Sequence, residues 1–437
     1  MTVPQRLRSL TGGPIGASLA ASVGIQAVNV FTGILLARGL GPEGRGELAA
    51  VILWPTVLSI VGSLSVGQAA SYYAARGTRP VATLTGTALG LALGQSLLLV
   101  ALGAVILPLV LSQYGGDTVT SALLYLSSIP LFLLSAYAMA ILLGRQRFRA
   151  YYALRVVTPV LSAMGLLFLA VTDELAVRGA VLVYLVALVT TGAIAAVALF
   201  SRESHRLAFD RGVARELLGY GLRSHVSTAS TNLNQRLDQL VISVFLAPAK
   251  LGNYVVAVTL SSFTVLVGHS VGMSALPLVA RHEPGPARTE AARRLVLMTL
   301  VLSVLVTIPL LAFTSTLITA FFGEEFRGAT DVCRVLLVAS VLYSTGRALD
   351  AVLKGAGRPL DAGIAGLIGL FVTIAGLATL LPAFGLMGAG ITSLVAYFVG
   401  TAVLARQAGR RLEVSTTRLL TPTREDLRSL LRRARAG

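Results

Sequence analysis

Apolar runs of about twenty residues dominate this chain, the length that carries a helix across a bilayer core of roughly 30 Å. They predict about twelve spans. The first six lie near Pro14–Ala37, Leu48–Ala70, Val81–Val105, Val119–Leu143, Tyr152–Thr172 and Gly179–Phe200. The second six lie near Leu218–Leu246, Asn253–Ala280, Leu295–Thr316, Asp331–Leu353, Asp361–Leu381 and Ala389–Ala405. One run breaks the pattern. Between Leu222 and Leu246 the chain carries Arg223, His225, Asn232, Asn234, Gln235, Arg236, Asp238 and Gln239. A charge in a bilayer costs about 2.5–3.5 kcal/mol on insertion scales, so such groups are retained where they are used.

Composition supports the reading. Of 437 residues, 55% are hydrophobic and 13% charged, and the mean hydropathy is +0.80. The fold class predicted is an all-α integral membrane protein. The net charge of +17 sits in short connections and in the tail. With the N-terminus inside, 26 of the 36 Lys/Arg fall on inner segments and 5 on outer ones; the other 5 lie within spans. Positive charge accumulates on the cytoplasmic side, so the asymmetry predicts cytoplasmic N- and C-termini. A missed span would reverse every later loop. The run from Pro14 is too long for a signal-peptide core and reads as a retained helix. Without a soluble module to carry a basic face, nucleic acid is not an expected partner.

An internal echo organises the spans. Leu40, Pro42, Gly46, Val61, Gly62 and Ala69 recur 206 positions later as Leu246, Pro248, Gly252, Val267, Gly268 and Ala275. Gly144 and Arg147 recur 211 positions later as Gly355 and Arg358. Gly179, Ala180, Leu185, Val186 and Ala187 recur 209 positions later as Gly388, Ala389, Leu394, Val395 and Ala396. Six spans per repeat insert both copies the same way, which makes a parallel repeat about an axis normal to the membrane. The predicted lobes are residues 1–205 and 206–405, followed by a basic cytoplasmic tail, 406–437. The stretch around Thr423–Arg433 reads equally as a basic amphipathic helix on anionic lipid or as a solvated tail.

Catalytic signatures are missing from the sequence. There is no P-loop and no H-E-x-x-H. The single cysteine, Cys333, excludes an internal disulfide, and His205, His225, His269 and His282 are too scattered for metal-ligand spacing. Translocation rather than an enzymatic reaction is the expectation, with no cofactor. A proton, a sodium ion or the membrane potential are the candidate driving forces.

As one continuous helix, the seventh span lines Thr228, Asn232, Gln235 and Gln239 along a stripe, with His225 and Arg236 on one edge and Thr231 and Asp238 on the other. Leu233, Leu237 and Leu240 fall opposite. Arg236, near mid-span, offers a permanently charged fork of donors suited to phosphate oxygens. The candidate cavity residues are Arg236, Asp238, Asn232, Gln235, Gln239, Arg223 and His225. Asp238 is read as an arginine counter-charge or a carrier of a coupling proton, and an Arg–Asp pair holding helices together is the structural alternative. Gln26, Asn29 and His269 are further cavity or helix-packing candidates. Arg347 and Asp350, three apart, are expected to pair locally.

Leu40-Gly41-Pro42-Glu43-Gly44-Arg45-Gly46 after the first span resembles the outer-loop signature of bacterial polysaccharide exporters. The seventh span with Asp238, Gly252-Asn253-Tyr254, Phe322-Gly323-Glu324-Glu325-Phe326, Gly355-Ala356-Gly357-Arg358-Pro359 and Phe384-Gly385-Leu386-Met387-Gly388-Ala389 extend the resemblance over nearly the whole chain. The chain thus resembles Wzx-type lipid-linked oligosaccharide flippases of the MATE/MOP superfamily. The resemblance implies two six-helix bundles and alternating access. The implied substrate is an undecaprenyl-pyrophosphate-linked oligosaccharide in the bacterial cytoplasmic membrane. Its implied partners are that anionic lipid-linked glycan, membrane lipids and other polysaccharide assembly proteins. The alternatives are a cation-coupled multidrug exporter, a lipid II flippase, and a non-transporting scaffold of an assembly complex.

Overall fold

The structure, a computed structural model, describes residues 14–200, 207–280, 283 and 285–421. Among the described residues every regular element is helical. In chain order these are α1 (Pro14–Gly62), α2 (Val66–Arg76), α3 (Val81–Val110), α4 (Gly116–Tyr125), α5 (Ser128–Gly144), α6 (Phe148–Val171) and α7 (Val177–Phe200). There follow α8 (Arg211–Asn234), α9 (Leu237–Phe245), α10 (Pro248–Ala280), α11 (Pro286–Ala312) and α12 (Thr314–Phe322). A short 3-10 helix, Glu324–Ala329, leads into the last three, α13 (Thr330–Gly355), α14 (Pro359–Arg411) and α15 (Thr416–Leu420).

Nine helical stretches among the described residues are long and apolar enough to cross a membrane. Two of them are far too long for one crossing: at 1.5 Å per residue, 41 and 52 residues run about 60 and 80 Å. Each is interrupted once, α1 at Gly41 (φ 64°) and α14 at Gly385 (φ 54°). Left-handed backbone of this kind favours glycine, which has no Cβ to clash. Dividing α1 and α14 there, and counting α8 with α9, recovers the twelve predicted segments. The stretch read as a loop, Leu40–Gly46, is therefore helix on both sides of one glycine.

Two other spans are less regular than their apolar runs predict. The second stops at Gly62 and resumes at Val66 through Leu64 and Ser65, both with positive φ. The seventh stops at Asn234 and resumes at Leu237.

The chain packs as two compact units, residues 1–253 and 254–437. The seventh span thus packs with the first six. The core of the first unit is built from Leu48, Val51, Leu84, Ala88, Leu107, Ile129, Leu133, Ile141 and Leu142, all closed to solvent. Leu97, Leu109, Phe168 and Val171 on its outer faces are exposed, as lipid-facing side chains are. The core of the second unit joins Val279, Ala292, Val296, Ala348, Leu349, Val352, Ala405 and Ala408.

Connections predicted on one side of the membrane meet within each unit. At the end predicted to be inner, Arg147 Nη1 donates to the Ala198 carbonyl at 2.6 Å. Arg79 and Glu216 form an ion pair there, with Arg79 Nε 3.2 Å from Glu216 Oε2. That carboxylate holds the Arg79 guanidinium above its ordinary pKa. At the opposite end, Gln113 Nε2 donates to the carbonyls of Ser243 (2.7 Å) and Leu246 (3.2 Å).

The sequence repeat has a local structural counterpart. The α5 terminus closes with Arg145 N, Gln146 N and Arg147 N donating to the carbonyls of Ile141, Leu143 and Leu142. The α13 terminus closes identically 211 positions later: Ala356 N, Gly357 N and Arg358 N donate to Val352, Lys354 and Leu353. Both turns use a left-handed residue, Gln146 (φ 58°) and Gly357 (φ 75°), as helix C-termini commonly do. Repeat-equivalent glycines also face each other. A Cβ on Gly46 would lie 1.8 Å from the Pro248 carbonyl oxygen, and one on Gly252 would lie 2.0 Å from that of Pro42. Reciprocal contact between equivalent residues is what a two-fold relation produces.

Candidate functional site

The seventh span is fixed to the first unit along its length. It starts at Asp210, whose carboxylate accepts from Val213 N (2.8 Å) and whose own amide donates to Thr87 Oγ1 (3.0 Å). Asp is a favoured N-cap because its side chain satisfies a helix amide that would otherwise lack a partner. About three turns along, Gly221 leaves room for the Leu64 carbonyl, which a Cβ would meet at 2.5 Å.

The break in the second span lies opposite. His225 Nδ1 is 3.1 Å from Ser65 Oγ. The Ser63 carbonyl within the break accepts a turn bond from Val66 N (3.0 Å) and is also met by Tyr137 Oη (2.9 Å) and Gln95 Nε2 (3.4 Å). Tyr137 Oη and Gln95 Oε1 are 2.7 Å apart. In a bilayer, irregular backbone is tolerated where protein groups re-satisfy it, and Tyr137 and Gln95 do so here. Gln68 Nε2 donates to Thr228 Oγ1 (3.2 Å), and Trp54 Nε1 to Ser243 Oγ (3.1 Å).

These links divide the predicted cavity residues. His225 is engaged by the second span. Arg223 Nε donates to the Gly219 carbonyl on its own helix at 2.9 Å, and its side chain is exposed. Gln235 is engaged and half-buried. Asn232 and Gln239 are half-buried.

Arg236 and Asp238 sit at the second break, and the continuous stripe drawn from sequence does not survive it. Arg236 precedes the first turn of α9 with φ −126° and ψ −8°, and its amide donates to the Leu233 carbonyl at 2.9 Å. The wheel assumed 100° per residue through Gln235 and Arg236, but the helix stops and restarts there. Asp238 is buried in the first turn of α9, and its Oδ1 accepts from Gln239 N at 2.7 Å. An acid there suits the positive end of a helix. Arg236 is exposed and forms no ion pair within 4 Å among the described residues; Asp238 is the carboxylate whose charge acts on it. The two differ in setting: Asp238 bonds the backbone beside the break, while Arg236 is exposed.

Among the secondary candidates of the first unit, Gln26 is half-buried and engaged, while Asn29 is exposed and its carbonyl accepts from Thr32 Oγ1 at 3.0 Å. In the second unit, His269 is exposed and lies within the electrostatic reach of Arg347. The expected Arg347–Asp350 pair does not form. Asp350 Oδ2 bonds Lys354 Nζ at 2.8 Å, one helical turn on, where the flexible lysine stem reaches the carboxylate.

Comparison with known proteins places this geometry. The family model for "Polysaccharide biosynthesis protein" matches residues 15–283, more than half of the chain. The chain belongs to that family. A second model, MatE, matches residues 224–380, beginning inside the seventh span. The family member is similar to the probable low-salt glycan biosynthesis flippase Agl15 of Haloferax volcanii. They are 24% identical over 196 residues, which is 44% of this chain and 41% of that protein, so the match spans less than half of either. Among solved structures it is similar to the lipid II flippase MurJ in an inward closed conformation: TM-score 0.76, 15% identity, 95% of this chain and 96% of that one. It is also similar to an inward-facing multidrug resistance MATE family transporter of the MOP superfamily: TM-score 0.72, 18% identity, 89% and 94% covered. The fold is that of these transporters, and the apolar helices of crossing length make the protein a multi-pass membrane protein.

Proposed function

We propose that this protein flips a lipid-linked oligosaccharide, carried on undecaprenyl pyrophosphate, from the inner to the outer leaflet of a bacterial cytoplasmic membrane by alternating access. The observation that carries the reading is Arg236: a guanidinium without an ion-pair partner among the described residues, exposed at a helix break inside the most polar span of the chain. A pyrophosphate is the chemistry such a fork of donors binds well. Family membership supports the glycan class, and the flippase name of the archaeal relative supports translocation of its lipid carrier. Asn232 and Gln239 flank the break and supply the polar contacts for the sugar end.

The experiment is depletion of the protein followed by measurement of the lipid-linked glycan on each leaflet. Accumulation on the inner leaflet supports the proposal, and normal export contradicts it. A second reading, a cation-coupled multidrug exporter, draws on the MatE match, which takes in Asp238. It predicts that Asp238→Asn abolishes export of cationic dyes and that depletion leaves the glycan distribution unchanged.

A further inference from the structure

The second unit holds a charged cavity far along the chain from Arg236. About 770 Å³ is enclosed by the start of α11, the turn after α13, the end of α14 and the residues leading into α15. Five arginines line it (Arg288, Arg293, Arg358, Arg411 and Arg418), against two glutamates, Glu290 and Glu413.

Two of the five arginines are committed to the fold. Arg293 is buried, and its Nε donates to the Arg418 carbonyl at 3.0 Å, with Glu290 at 3.6 Å. Together with Thr289 Oγ1 donating to the Leu412 carbonyl at 3.1 Å, this fastens α15 against α11 and closes one wall. Arg411 pairs with Asp361 at 3.0 Å. The remaining three, Arg288, Arg358 and Arg418, form no ion pair among the described residues. Arg288 Nη2 reaches the Gly355 carbonyl only at 3.4 Å. Its Nε is closed to solvent with no hydrogen-bond partner among the described residues. A buried charged donor without an acceptor is uncommon in a finished protein interior. The first amides of α11, behind Gly285, add the positive end of a helix to the same wall.

We propose that this cavity binds a phosphate-bearing anion. Three unpaired guanidiniums and a helix N-terminus converge on a volume large enough for a phosphodiester or a diphosphate. Arginine matches such oxygens in pairs. The walls are the ends of α11, α13 and α14, three helices of membrane-crossing length. That places the cavity at the depth of lipid headgroups, where basic pockets between helix ends take anionic lipid. The headgroup of an anionic phospholipid and free inorganic pyrophosphate share this chemistry. The site is separate from Arg236 and does not depend on the flippase reading.

The test uses the full chain, purified in neutral detergent, in two arms. In one, native mass spectrometry measures retention of phosphatidylglycerol against phosphatidylcholine. In the other, calorimetry measures binding of inorganic pyrophosphate. The triple variant Arg288→Gln, Arg358→Gln, Arg418→Gln is expected to lose at least tenfold in affinity in whichever arm the parent binds. The single variant Arg358→Glu, at an exposed position, is expected to weaken binding several-fold without disturbing the packed walls. Glu413→Gln is expected to strengthen it. Binding of phosphatidylglycerol identifies the lipid source, and binding of pyrophosphate alone identifies the soluble one. Failure of the parent to bind either ligand would overturn the proposal, as would equal binding by Arg358→Glu and the parent.

Discussion

Adding a single methyl group tests the reciprocal crossing of Gly46 and Gly252. In Gly46→Ala the new Cβ would lie 1.8 Å from the Pro248 oxygen, 2.6 Å from its carbon and 3.0 Å from the Gly252 amide nitrogen. An ordinary carbon–oxygen contact is about 3.3 Å, so the two chains must separate by about 1.5 Å. Every atom met is backbone, and no rotamer change relieves it. Overpacking a tight site costs about 1–3 kcal/mol, and this case belongs at the upper end. Gly252→Ala meets the Pro42 oxygen at 2.0 Å and should cost a similar amount. Both changes open the same crossing, so the double variant should lose less than the two singles added together. Gly94→Ala is the control: nothing lies within 4 Å of its Cβ, and alanine is favoured in a helix by about 0.5–1 kcal/mol. Apparent melting temperature in detergent, followed by size-exclusion fluorescence, ranks the four proteins. The reasoning is refuted if Gly46→Ala melts with Gly94→Ala, or if the double variant loses the full sum.

Other predictions follow from the two breaks. Tyr137→Phe removes the hydroxyl that meets the Ser63 carbonyl at 2.9 Å, and should destabilise by about 1–2 kcal/mol in thermal unfolding. Asp238→Ala should lower stability by about 1 kcal/mol through loss of the helix-terminus contact, whereas Arg236→Ala should leave the melting temperature within a degree or two of the parent. Equal destabilisation by the two would mean that Arg236 is structural. Glu216→Gln removes the ion pair to exposed Arg79, and should change the melting temperature little, because solvent screens such pairs.

The span count was legible because bilayer thickness imposes a length that composition alone reveals. The repeat was legible too: Gly144/Arg147 and Gly355/Arg358 mark helix ends that close with the same hydrogen bonds. The breaks were not. Hydropathy averages over Gly62-Ser63-Leu64-Ser65, and a helical wheel presumes continuity through Gln235-Arg236. The two serines beside a glycine in an apolar run, Ser63 and Ser65, were the available signal for the first break. The Asp350 pairing turned on reach, since Arg347 and Lys354 are both within one turn of it. The arginine cavity was invisible because its members are spread from Arg288 to Arg418 and meet only through the fold.

The central claim is that Arg236 serves a pyrophosphate in transit. Its direct test is leaflet-resolved translocation of an undecaprenyl-pyrophosphate-linked oligosaccharide in proteoliposomes containing the parent, Arg236→Ala or Arg236→Lys. The account predicts translocation by the parent, a loss of at least tenfold in Arg236→Ala at equal incorporation, and partial recovery in Arg236→Lys. Translocation by Arg236→Ala at the parent rate would contradict it.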